Sequence, residues 1–152
     1  MNDAVQSLSE RFPGRRIVVT GAASGLGLEL CRRFAAGGWT IGMLDVNASA
    51  LAAAADEVER LGGRVLRVVA DVTDAAALQA AVDGFVGDMQ GLDVMVNNAG
   101  VAVGGDFVET PADDWRWIVG INLLGVVHGA RAALPVLLAS RAGLLLNVAS
   151  AA

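Results

Sequence analysis

One stretch of this 152-residue chain leaves little freedom in how it folds. It is the turn Thr20-Gly21-Ala22-Ala23-Ser24-Gly25-Leu26-Gly27, set between the apolar run Ile17-Val18-Val19 and the helical stretch 28–36. A strand that passes through glycines straight into a helix makes a sharp junction that bulkier residues would obstruct. The unpaired backbone N–H groups and the dipole at the start of such a helix favour an anion, a phosphate above all. Side chains would block that approach, and Gly21, Gly25 and Gly27 remove them. Their spacing is Gly-x-x-x-Gly-x-Gly. A tight strand-to-helix turn with no ligand is the alternative reading of the same residues.

Residues 1–14 read as a lead-in, after which strands and helices alternate. Strands are expected at 16–20, 40–45, 64–70, 93–97 and 144–149. Helices are expected at 25–37, 48–61 and 74–89, with Asp74 close to an N-cap, and over a long region from Pro111 to Ser140. Gly104-Gly105 belongs to a loop before that region, and Arg141-Ala142-Gly143 to a turn after it. The strands are short continuous apolar runs, as in a parallel sheet covered on both faces. The alternation implies right-handed crossovers and a single doubly wound α/β domain over 1–152.

Composition narrows the possible partners. Hydrophobic residues make up 55% of the chain and charged residues 18%. No uninterrupted apolar run reaches the ~20 residues of a membrane helix. The first residues also lack the basic-then-apolar pattern of a secretory leader, so a cytoplasmic protein with no membrane partner is expected. The net charge is −5 and the basic residues cluster only at Arg15-Arg16 and Arg32-Arg33, which argues against a nucleic-acid partner. The one cysteine, Cys31, reads as a small buried hydrophobe.

In an open parallel sheet, ligands bind beyond the carboxyl ends of the strands. Polar candidates follow every expected strand here. The glycine turn follows the first, and Asp45 closes the second, where an acidic residue accepts hydrogen bonds from ribose hydroxyls. Its charge would repel a 2′-phosphate, and neither Ser24 nor Val46 supplies a compensating base, which favours NAD over NADP. Capping of its own loop is the alternative for Asp45. Asp71 follows the third strand, placed either to cap the next helix or to meet an adenine amino group. Asn97-Asn98-Ala99-Gly100 follows the fourth; Asn98 to Gly100 bring backbone close to the cleft, with Gly100 permitting an unusual turn, or else an asparagine side chain ties strand four to a neighbouring strand. Ser150 follows the fifth.

Four further features belong to the long helical region. Asn122 is a weak helix former that either kinks the helix or serves a site, and Pro135 bends or interrupts it. His128, the only histidine, has no partner at a telling spacing and reads as an ordinary helix residue, not as a base or metal ligand. No metal site is expected. Trp115 and Trp117 read as packing residues.

Together these residues resemble the short-chain dehydrogenase/reductase family. The matching pieces are Thr20 to Gly27, Asp45, Asp71-Val72, Asn97 to Gly100, Trp115 with Asn122-Leu123 and Gly125, and Leu146 to Ser150. The resemblance implies a Rossmann-type sheet of strand order 3-2-1-4-5 that breaks off after the fifth strand. It implies that Gly21, Gly25, Leu26 and Gly27 hold the pyrophosphate of NAD, with Ser24 also in the cofactor site, and Asp45 its adenosine ribose. Asp71 and Val72 then contact adenine, and Asn98, Ala99 and Gly100 line the nicotinamide end. Ser150 aligns with the family's catalytic serine, and Asn122 with the asparagine of its water-linked proton relay. The implied substrate is an alcohol or carbonyl compound, and the long helix is expected to pair two copies in a homo-oligomer.

The family's acid–base group is a tyrosine with a lysine four residues later, about a dozen residues beyond the serine. The chain has no Tyr, and all 11 of its basic residues are Arg. Strand five is moreover apolar and uncharged, which suits an interior strand better than an edge. The expectation is therefore the cofactor-binding part of a longer oxidoreductase, inactive by itself. The alternatives are a non-catalytic nucleotide-binding module and, more remotely, a methyltransferase domain, which would leave Asn97 to Gly100 and Ser150 unexplained.

Overall fold

The computed structural model describes residues 3–140 and 142–150; Met1, Asn2, Arg141, Ala151 and Ala152 lie outside the described residues. Five parallel strands form one sheet: β1 (Arg16–Thr20), β2 (Thr40–Asp45), β3 (Arg64–Val69), β4 (Val94–Asn97) and β5 (Leu144–Asn147). Their spatial order is β3-β2-β1-β4-β5, as expected. The order reverses between β1 and β4, which opens a crevice at the carboxyl ends of those two strands.

Alternate residues of each central strand enter opposite cores, the period-two geometry of an extended chain. Ile17, Val19, Ile41, Met43, Val94 and Val96 pack beneath α2 (Gly25–Ala36) and α3 (Ala48–Arg60). Val18, Leu44 and Met95 face α4 (Ala75–Met89) and the long helical region, with Leu78, Val82, Phe85 and Ala133. Burying each large side chain in these layers contributes roughly 1.5–3 kcal/mol. Gly42 has no side chain because Phe85 and Val18 fill its place: a Cβ there would lie 2.8 Å from both.

Arg16 and Asp93 lock the opposite, amino-terminal edge of the sheet. The guanidinium donates to both carboxylate oxygens at 2.9 Å, and Nη1 also donates to the Gln90 carbonyl at 2.6 Å. Such two-pronged pairing fixes direction as well as distance. It joins the start of β1 to the residue just before β4.

The structure adds detail to three sequence expectations. Part of the lead-in forms a helix, α1 (Asp3–Arg11), that seats Val5 and, just beyond it, Phe12 in the core. Trp39 holds it there: its indole Nε1 donates to Ser9 Oγ at 2.9 Å, and that hydroxyl donates to the Val5 carbonyl at 2.9 Å. The long helix is not uniform either. It runs as α5 (Ala112–Val119), a π-helical segment (Gly120–Gly125) and α6 (Val126–Ala139). Finally, Trp115 and Trp117, read as packing residues, lie outside the core at 39% and 48% exposure, and the Trp115 ring packs against Phe107 at 5.0 Å between centroids.

The helical rod Ala112–Ala139 also revises the reading of hydropathy. It holds a window of mean hydropathy 1.5, long and apolar enough by length and composition to cross a membrane, although no unbroken apolar run exists. In this structure Ala132, Ala133 and Leu137 of α6 are spent on the sheet core.

Candidate functional site

A cleft of about 400 Å³ opens beyond the carboxyl ends of β1 to β4. Gly21, Ser24, Gly25 and Leu26 form its floor, Asp45, Asp71 and Val72 one wall, and Asn98, Ala99 and Gly100 the other. Of the residues assigned to a cofactor from the sequence, Gly27 alone does not line it. Gly27 is buried behind the turn, where a Cβ would lie 2.2 Å from the Gly21 carbonyl oxygen and 2.6 Å from Asn98 Nδ2. Its part is to let α2 pack against the turn.

The turn is held open by a few bonds. Gly21 and Gly25 have φ of +64° and +52°, conformations that glycine adopts without strain. Asn98 Nδ2 donates to the Thr20 carbonyl at 3.0 Å and the Gly21 carbonyl at 3.3 Å. Thr20 Oγ1 accepts from the N–H groups of Asn98 and Ala99, both at 3.0 Å. The Asn98 side chain thus ties β4 to β1, and the residue lines the cleft. Thr20, read only as the start of the turn, proves to tie that turn to the Asn98–Ala99 wall; a hydroxyl at the end of a buried apolar strand was the available signal.

The start of α2 is chemically open. Its N-cap residue, Ser24, makes no side-chain capping bond, and the first turn carries no acidic residue. The N–H groups that a cap would satisfy remain for an anion. Gly25 faces empty space, with no atom within 4 Å of where a Cβ would lie.

On one wall, Asp45 accepts from the Ala23 N–H through Oδ2 and from the Asn47 N–H through Oδ1, each at 3.0 Å. Each carboxylate oxygen keeps a further lone pair for a ligand hydroxyl. Asp71 Oδ1 accepts from Thr73 N and Thr73 Oγ1 at 2.8 Å. Helix α4 is capped by Asp74, whose Oδ1 accepts from Ala76 N and Ala77 N, so Asp71 is not needed as the cap.

The two residues assigned to catalysis lie apart from this floor. Ser150 sits exposed, three residues beyond β5. Asn122 lies in the π-helical segment, and its side-chain amide is engaged by one residue: Oδ1 accepts from Val101 N at 2.9 Å and Nδ2 donates to Val101 O at 2.8 Å. The cleft is lined there by its neighbour Ile121 and by Val101 itself. Val46 and Ala70 complete the lining. Of these four, Ala70 stood at the carboxyl end of an expected strand and was legible by the rule that marked Asp45.

Comparison with known proteins agrees with this geometry. The family model for short chain dehydrogenases matches residues 15–152. The chain is 37% identical over 140 residues to meso-2,3-butanediol dehydrogenase of Serratia marcescens, covering 92% of this chain and 55% of that protein. It is 40% identical over 141 residues to galactitol 2-dehydrogenase (L-tagatose-forming) of Cereibacter sphaeroides, covering 92% and 54%. Among solved structures, a short chain dehydrogenase/reductase from Burkholderia phymatum in complex with NAD superposes with a TM-score of 0.86 at 36% identity, over 90% of this chain and 49% of that one. An NAD+-bound xylitol dehydrogenase does so with a TM-score of 0.86 at 33% identity, over 90% and 53%. The chain thus spans about half the length of the relatives it matches. It belongs to the short-chain dehydrogenase family of oxidoreductases.

Proposed function

We propose that this chain binds NAD in the cleft beyond β1 to β4, as the cofactor-binding part of an oxidoreductase acting on an alcohol or carbonyl compound. The observation that carries the reading is the uncapped start of α2 beside the open space at Gly25. It suits a pyrophosphate, while Asp45 at the end of β2 suits the two hydroxyls of an unphosphorylated ribose. Bound NAD supplies a hydride acceptor or donor at its nicotinamide. The chain's own groups hold and orient it: α2 N–H groups the phosphates, Asp45 the ribose, Asp71 and Val72 the adenine, and Asn98 to Gly100 the other end. Ser150 is assigned to hydrogen-bond the substrate oxygen, and Asn122 to the helix side of a proton relay.

The cofactor preference is tested by calorimetric titration with NAD, NADP and S-adenosylmethionine. Binding of NAD well ahead of NADP is expected; preference for S-adenosylmethionine would end this reading. A second reading, nucleotide binding without catalysis, is favoured by one observation: the 152 residues include neither the tyrosine nor the lysine of the family's acid–base pair. The intact mass of the protein isolated from its source separates the two: a mass well above 15.5 kDa fits the first reading, and 15.5 kDa fits the second. We also propose that two copies pair through 112–139, supported by the exposure of Leu123, Leu124, Val127, Leu134 and Leu138; a monomeric sedimentation profile would count against pairing.

A further inference from the structure

Val72 belongs to the wall of the cleft, yet it lies past the end of β3, where no neighbouring strand continues the hydrogen-bond ladder. A backbone carbonyl buried there without a partner costs about 1–3 kcal/mol. The other bonds that shape this loop are local or run to β2: Ala70 N donates to the Asp45 carbonyl, Asp74 N to the Asp71 carbonyl, and Thr73 to the Asp71 carboxylate. None of them takes up the Val72 carbonyl. That oxygen lies 2.9 Å from Nδ1 of His128, fifty-six residues away on α6. A carbonyl only accepts, so Nδ1 carries the proton and donates.

The same helix face holds the Val72 side chain. Gly125 lies three residues before His128, and a Cβ at Gly125 would stand 2.7 Å from Val72 Cγ2. Residues three apart share a helix face, so Gly125 makes room for the isopropyl group while His128 takes the carbonyl. Thr73 is met in a similar way by Gly120, where a Cβ would lie 3.5 Å from Thr73 Cγ2. Among the described residues, the His128 bond is the one hydrogen bond joining this loop to the helical rod.

We infer that His128 is a positioning residue for nucleotide binding: its Nδ1–H, with Gly125, fixes Val72 and thereby the Asp71–Val72 wall on the adenine side of the cleft. The inference rests on the NAD reading for the identity of the ligand, but the contact itself stands on geometry. It gives the histidine a role that needs neither acid–base chemistry nor a metal.

The test compares His128→Asn, whose amide nitrogen falls near the position of Nδ1, with His128→Leu, which has no donor. Each is titrated calorimetrically with ADP-ribose, AMP and nicotinamide mononucleotide. His128→Asn should bind all three within about twofold of the parent. His128→Leu should lose about fivefold for ADP-ribose and AMP, the scale of one hydrogen bond, and nothing for nicotinamide mononucleotide. Parental affinity in His128→Leu, equal losses in both variants, or an equal loss for nicotinamide mononucleotide would overturn it. Should His128→Leu fail to fold, imidazole nitrogen NMR of the parent protein decides, with the Nδ1–H tautomer expected and the Nε2–H tautomer contrary. If the parent binds none of the ligands, the NAD reading falls while the tautomer still decides whether His128 holds Val72.

Discussion

Helices α2 and α4 start on opposite faces of the same sheet edge, each just past a strand, yet their first turns are built for different ends. At α4, Asp74 folds its carboxylate over two N–H groups, and the helix is complete within the protein. At α2, Ser24 occupies the same position with φ −154° and makes no capping bond. Glycines stand where side chains would cover the N–H groups, and Asn98 and Thr20 brace the turn from β4 and β1. Stability is supplied to α2 from behind, by Gly27 and the packing of Cys31, Phe34 and Ala35, and withheld at its mouth. The open start of α2 contrasts with α3, capped by Asn47, and α4, capped by Asp74, and it is the one that faces the cleft.

The contrast can be broken most severely at Gly27. A methyl group there meets the Gly21 carbonyl oxygen and the Asn98 amide at once. Gly27→Ala should cost about 1–3 kcal/mol in urea denaturation, the range for overpacking, and should cut NAD affinity tenfold or more. Unchanged stability would show that the back of the turn is softer than its contacts imply. Asp45→Ala acts in front of the turn. It should weaken NAD about tenfold, as the loss of charge-assisted hydrogen bonds predicts, and leave NADP nearly unaffected. Equal losses for both would remove Asp45 as the reader of the ribose.

Two milder experiments sharpen the comparison. Asp74→Ala should cost about 1 kcal/mol of stability, while Ser24→Ala should cost only a few tenths because no cap is lost; equilibrium denaturation of the pair decides. NAD affinity should be untouched in the first. Cys31, in the body of α2, probes the packed part of the helix through pH. Burial pushes its thiol up to about 12. The folded chain therefore keeps a proton that the unfolded chain releases from about pH 9 upward. Stability from this group is full below that point and falls by roughly 1 kcal/mol per pH unit up to about 12. Alkylation of the native protein at pH 8 should be slow against that of the unfolded chain.

Much of this arrangement was legible in the residues because it depends on backbone chemistry. Glycine spacing, the apolar runs and Asp74 four residues past the strand each state a local rule, and the strands and caps follow them. The strand order and the cleft wall at Asp45 followed from family likeness and strand-end placement together. What escaped was contact between distant segments. Nothing within 1–14 announces that Ser9 will meet the Trp39 indole. Nothing near His128 announces the Val72 carbonyl. Trp115 and Trp117 read as packing residues, and nothing in the sequence announces that they pack on the outer side of the rod, where Trp115 meets Phe107.

Asn122 carries a consequence for how the loop after β4 keeps its shape. A side-chain amide has the donor and acceptor of a peptide group, and Val101 exchanges both bonds with it as two residues do across an antiparallel sheet. One asparagine thus acts as a one-residue strand laid against the loop, projected from a helix. The helix can offer it there because the wider π turn displaces the side chain from the regular ladder. A carboxylate in its place would repel the Val101 carbonyl, and a glutamine would overshoot by a methylene. The segment beyond Gly100 is thereby given the register of a sheet without the width of one, and the mouth of the cleft stays open beside it.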